Sequence, residues 1–152
     1  MRAVIDANIL VSILISAHGS KQELLFSGEV EVIAPDRLLF EVGKHWKEIC
    51  DKSKLSEEDL ESSLSLVREE IKVFPLNTYR DKLSESKDMC PHLKDAEYFA
   101  LALKFNCPIW SEEKRLKEQP SVEVLSTKRL LKNKLVNLYS CNTYIIIWMN
   151  SI

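Results

Sequence analysis

Short apolar runs alternate along the chain with stretches in which apolar residues recur every three or four positions. Val4 and Ile5 read as a brief buried strand. Ile9, Leu10, Ile13, Leu14 and Ala17 then follow the helical period. Residues 21–27 predict a further short helix, with Gly28 as its terminator. A second strand over residues 30–33 is closed by Pro35. Asp36 is placed to cap a helix running to about Asp51, with Leu38, Leu39, Val42 and Trp46 on its apolar side. Ser56-Glu57-Glu58-Asp59 fits a capping box, and Leu60, Leu64, Val67 and Ile71 stripe the helix behind it. Residues 71–74 predict a third strand, ended by Pro75. A helix begins near Lys94 with Ala96, Phe99, Ala100 and Leu103 on one side. Residues 108–110 and 122–125 read as strands four and five, and Ser126 or Thr127 caps a last helix carrying Leu130 and Leu131. This alternation predicts a single-domain α/β fold whose parallel sheet is covered on both faces. In such sheets ligands bind beyond the carboxyl ends of the strands.

Composition narrows the classes. A chain of 152 residues, 45% hydrophobic and 29% charged, is long enough for one globular core and too apolar for a disordered segment. Lys and Arg total 21 against 23 Asp and Glu, a net charge of −2, which excludes coating of nucleic acid by bulk charge. Cys50, Cys90, Cys107 and Cys141 show no paired or zinc-finger spacing, so they read as reduced thiols. Arg2 and the apolar stretch after it mimic a secretory leader, but Asp6 and Asn8 interrupt that stretch. No apolar run approaches the roughly 18 residues that cross a bilayer. The expectation is a cytoplasmic protein with no membrane contact.

Candidate chemistry starts at Asp6. A bare carboxylate between two apolar runs is costly to bury unless a cation or hydrogen-bond donors meet it. Three further acids fall beside predicted strand ends or helix starts. They are Glu41 in LLFEV, Asp95 in KDAEYFALAL and Glu113 in WSEEKRL. Each alone has a plain structural reading: Asp95 as a helix-start residue, Glu41 and Glu113 as solvated charges. Together with their order and context, VIDANILVS, LLFEV, KDAEYFALALKFNCPIWSEEKRL and the closing VEVLSTKRLL, they resemble the PIN-domain family of metal-dependent ribonucleases. The resemblance covers residues 1–131, and residues 132–152 form a tail outside it.

The resemblance implies a sheet in the order 3-2-1-4-5 with an acidic cleft at its carboxyl edge. It also implies one or two Mg²⁺ or Mn²⁺ ions that activate water to cut single-stranded RNA. Asp6, Glu41, Asp95 and Glu113 match the family's four acids, as catalytic groups and metal ligands, with Asn8 and Ser111 orienting the first aspartate and a water. The chain departs from the family's W-S/T-N-D-K-D-F pattern: Glu112 stands for the asparagine, Glu113 for an aspartate and Arg115 for a second aspartate. The number of ions is therefore left open. Hard divalent cations take oxygen ligands, so the chemistry needs no histidine. His45, one turn beyond Glu41, reads more as a surface residue than as a substrate contact.

Cations along a cleft rim would hold an RNA backbone. Lys44, Lys114 and Arg115 are the candidates, with Lys47 and Lys117 beside them. The expected partners are RNA, a small antitoxin protein if the chain is the toxin of a toxin–antitoxin pair, and a second copy of the chain held through the apolar residues 145–148. The competing reading is a PIN-like module that binds RNA or protein without cutting. An aspartyl-phosphate phosphatase is disfavoured, because Asn8 stands where its second aspartate belongs.

Overall fold

Ala3, Val4 and Ile5 are completely buried, as expected of the middle strand of a parallel sheet with helices on both faces. The computed structural model describes residues 1–16 and 18–133. Its strands are β1 (Arg2–Ile5), β2 (Glu31–Pro35), β3 (Ile71–Phe74), β4 (Ile109–Trp110) and β5 (Val124–Leu125). They form one all-parallel sheet in the order β3-β2-β1-β4-β5, as the resemblance implies.

The chain steps outward from β1 to β2 to β3, then returns past β1 to β4. Right-handed crossovers place helices from the two directions on opposite faces. One face carries α1 (Ala7–Ile15), α2 (Ser20–Phe26), α3 (Arg37–Lys44), α4 (Trp46–Ser53) and α5 (Glu57–Glu69). The other carries α6 (Leu83–Met89) and α7 (Ala96–Phe105). α1 packs on α3, α4 and α5, while α7 packs on β1, β2, β4 and α6. Gly28 ends the turn after α2 with a φ of +70°, a left-handed conformation that suits glycine.

Several elements differ from expectation. Residues 36–51 form two helices, not one. The amide of His45 closes α3 on the Val42 carbonyl at 3.0 Å, and the chain turns there into α4. Gly43, a weak helix former, precedes the turn. The Asp36 carboxylate does not cap α3; its Oδ1 lies 3.3 Å from the Tyr79 hydroxyl oxygen. At α5 the Ser56 hydroxyl accepts from the Asp59 amide at 3.1 Å as a capping box requires, and also donates to the Asp59 carboxylate at 2.6 Å. α6 has no counterpart in the sequence pattern, because only Leu83 and Met89 pack on the core and two apolar anchors make no period. Ala17 and the apolar stretch 145–148, with the subunit contact expected of it, lie outside the described residues. Among the described residues no helix is long and apolar enough to cross a membrane.

Candidate functional site

Sheet register assembles the first half of the site. Ile5 pairs with Trp110, and the Asp6 amide donates to the Trp110 carbonyl at 3.1 Å. Asp6 and Ser111 therefore leave neighbouring strands side by side. The fully buried Ser111 hydroxyl donates to Asp6 Oδ2 at 2.6 Å, and its oxygen accepts from the Glu113 amide at 3.0 Å. Asp6 Oδ1 accepts from the Asn8 amide at 3.4 Å, which caps α1. Asn8 thus orients Asp6 through its backbone amide. Asp6 is 9% exposed. Burial raises its pKa above the usual carboxylate range against the opposing bonds from Ser111 and Asn8, with the Glu113 and Glu41 charges adding to the rise.

The second half comes from α3 and the start of α7. Residues 37, 41, 44 and 45 share one face of α3 by helical spacing, and that face closes over the cavity. A cavity of about 210 Å³ is lined by Asp6, Ala7, Asn8, Arg37, Glu41, Lys44, His45, Lys94, Asp95 and Glu113. All four acids singled out in the sequence thus line one hollow, from four separate segments. Glu112 does not. Its carboxylate accepts from the amide and hydroxyl of Thr127 at 2.9 and 2.6 Å, capping the helical residues 127–133. Burial of Glu112 is outweighed by those bonds and by Lys21 and Lys117, which leaves its pKa lowered. Ser126 accepts from the Arg129 amide at 3.4 Å, so that helix start is capped twice.

Of the expected backbone-binding cations, Lys44 lines the cavity, whereas Lys114 and Arg115 lie exposed outside its lining. Lys94 and Arg37 are the other cations in the lining. Arg37 Nε donates to Glu41 Oε1 at 2.7 Å, and the Tyr98 hydroxyl donates to Glu41 Oε2 at 2.8 Å. Burial, then the charge and hydrogen bond of Glu41, push the Tyr98 phenol far up, so it stays a donor at every physiological pH. His45 reaches the lining while its Nδ1 sits 3.2 Å from Glu48 Oε2. The four-residue spacing of Arg37 and Glu41 could have revealed their pairing. Tyr98 carries no local signal, since it lies 57 residues from its partner.

Asp95 differs from the other acids. It stands at the N-terminal boundary of α7 but its side chain makes no capping bond, so it is not a cap residue. Its Oδ2 is buried with no hydrogen-bond partner, the one such side-chain atom among the described residues. Its carboxyl is pushed up to about 6, chiefly by burial, with the Asp6 and Glu113 charges adding to the rise and Lys94 and His92 opposing it. A buried carboxylate oxygen without a hydrogen-bond partner, in a cavity lined by three other acids, makes an all-oxygen donor set that suits a hard divalent ion. The residues present fit such a group. Among the described residues, no three His, Cys, Asp or Glu side chains stand arranged to hold an ion as they are.

The model of the PIN domain matches residues 4–135. A comparison with curated proteins returned no match. Among solved structures, the chain is similar to VapBC2 from Rickettsia felis bound to a DNA fragment from its promoter. The TM-score is 0.58 at 17% identity, covering 83% of this chain and 98% of that one. It is equally similar to PAE2754 from Pyrobaculum aerophilum, with a TM-score of 0.58 at 17% identity over 88% of this chain and 94% of the other. At that identity the likeness speaks for the fold alone. The sheet order agrees with it and the family match spans most of the sequence, so the chain belongs to the PIN domain family, a family of nucleases.

Proposed function

We propose that the protein is an endoribonuclease that cuts single-stranded RNA with the help of Mg²⁺ or Mn²⁺. The observation that supports this most is the meeting of Asp6, Glu41, Asp95 and Glu113 in one cavity of about 210 Å³. When bound, a divalent cation lowers the pKa of water and stabilises charge developing on phosphate oxygens. Asp6, Asp95 and Glu113, with Glu41, are the groups that would hold it. Ser111 and the Asn8 amide fix the direction of the Asp6 carboxylate, which a ligand must present repeatably. Lys44 and Lys94 on the cavity wall draw the phosphate backbone towards acids that would otherwise repel it. The resemblance to the PIN-domain family carries the further reading of a toxin acting with a small antitoxin protein, and the fold shared with VapBC2 agrees with it.

The test is incubation of the purified protein with unstructured and hairpin RNA, with Mn²⁺ or with EDTA. Cleavage of the unstructured RNA that needs Mn²⁺ and is lost in Asp6→Asn is expected. A second reading, a module that binds RNA or protein without cutting, draws on Glu41 being engaged by Arg37 and Tyr98. RNA binding with no cleavage under any divalent ion decides for it.

A further inference from the structure

Glu41 enters the cavity with both oxygens already taken. Arg37 Nε holds one at 2.7 Å, and the Tyr98 hydroxyl holds the other at 2.8 Å. A phenol hydrogen bond is compatible with a carboxylate that also meets a cation. A guanidinium is not an easy neighbour, because it carries the same sign as the ion and donates to the oxygen the ion would use. Arg37 has a second carboxylate within reach. Its Nη1 lies 3.6 Å from Glu97 Oε1, just beyond a hydrogen bond. Glu97 is absent from the cavity lining, and its other oxygen accepts from the buried Tyr79 hydroxyl at 2.9 Å. Glu97 is therefore a fixed anion next to the cavity but outside it. Arg37 itself is 31% exposed, so its guanidinium is free to turn between the two acids.

From this geometry we propose that Arg37 is an exchangeable counter-ion: it neutralises Glu41 while no divalent cation is bound and passes to Glu97 when one binds. The cation rests on the reading above, but the exchange concerns this chain's own side chains. Arg37 is a positioning residue in this scheme. It sets the affinity for the ion by deciding when Glu41 is available. Tyr98 keeps Glu41 oriented throughout, and Tyr79 keeps Glu97 ready to receive the guanidinium.

The experiment is calorimetric titration of the full-length protein with Mn²⁺, in the absence of RNA. Four forms are compared: wild type, Arg37→Gln, Glu97→Gln and the double variant. Removing the competitor should tighten Mn²⁺ binding about tenfold, and removing its alternative seat should weaken binding by a similar factor. In the Arg37→Gln background, Glu97→Gln should change affinity by less than about twofold, because no guanidinium remains to relocate. Long-range electrostatics alone makes the two changes additive, and that result overturns the exchange. Weaker binding by Arg37→Gln also overturns it, since Arg37 would then be holding Glu41 in place for the ion. Arg37→Met removes the charge while keeping most of the side chain's length, and it carries the same comparison if Arg37→Gln does not fold. Its cycle with Glu97→Gln must still be non-additive. Absence of Mn²⁺ binding in every form overturns the exchange and the metal-dependent reading together. Additive shifts overturn the exchange and leave the nuclease reading standing.

Discussion

Asp95→Asn replaces a charged group by a neutral one of nearly the same shape, at the acid whose buried oxygen has no partner. The folded carboxyl, pushed up to about 6 from an ordinary 3.8, holds its proton more tightly than the unfolded one. At about 1.4 kcal/mol per pH unit, that difference sets a ceiling of roughly 3 kcal/mol. Solvent reaches part of the side chain, and screening brings the expected penalty to about 1–2 kcal/mol. The sign follows from proton binding. Between about pH 4 and 6 the folded state binds more protons, so stability falls as pH rises, and the full penalty stands above about pH 6. The substituted amide still leaves a polar atom unpaired, so the comparison isolates the charge. In EDTA at about pH 7.5 the variant should melt higher than wild type by about 2–8 °C, and near pH 4 the two should coincide. Thermal melts followed by circular dichroism at both pH values are the assay. A neutral-pH melting temperature equal to or below wild type, or a gain that persists at pH 4, refutes the reasoning.

Asp6→Asn should abolish RNA cleavage and leave the metal-free protein as stable or more so, since asparagine still accepts at the α1 cap; a clear drop in melting temperature would make Asp6 a core structural residue instead. Glu113→Gln should weaken Mn²⁺ binding in calorimetry while Glu112→Gln leaves it unchanged. Glu112→Ala should cost about 0.5–2 kcal/mol of stability, read by urea unfolding, through loss of the cap on residues 127–133. Phe40 is 63% exposed, with the Lys44 ammonium 4.4 Å over its ring at the cavity rim. Phe40→Ala should weaken binding of fluorescent single-stranded RNA about tenfold without changing duplex binding, as loss of one base stack does; equal loss on both RNAs would sink that idea.

The sheet was legible because its strands obey local rules: buried runs such as Val4-Ile5, punctuated by Pro35 and Pro75, separated by helical periods. The identity of the four acids was legible only through their order along the chain, because each taken singly reads as a cap or a solvated charge. The neighbouring glutamates show why. Glu112 and Glu113 are chemically equivalent in sequence, and a half-turn of backbone sends one to Thr127 and the other to the cavity. What stayed hidden was the network that tertiary packing brings to Glu41. Tyr98 and Glu97 reach α3 from the opposite side of the sheet, and no local pattern encodes that meeting. The break at His45 was equally illegible, since apolar residues continue through it at helical spacing.

The hydrogen bond from Ser111 to Asp6 closes a loop of 105 residues. Contacts of such long separation form late, because the entropy of closing the chain must be met before they stabilise anything. β1, β2 and β3 with their helices contain Asp6 and Glu41 and are complete in the first half of the chain. Ser111 and Glu113 leave the ribosome much later, and the capping partner of the loop between them, Thr127, later still. A nascent chain therefore displays its first acids long before the strand that orients them exists. Whatever chemistry the cavity carries is withheld during synthesis, beside the message being translated, until the last strands are in place.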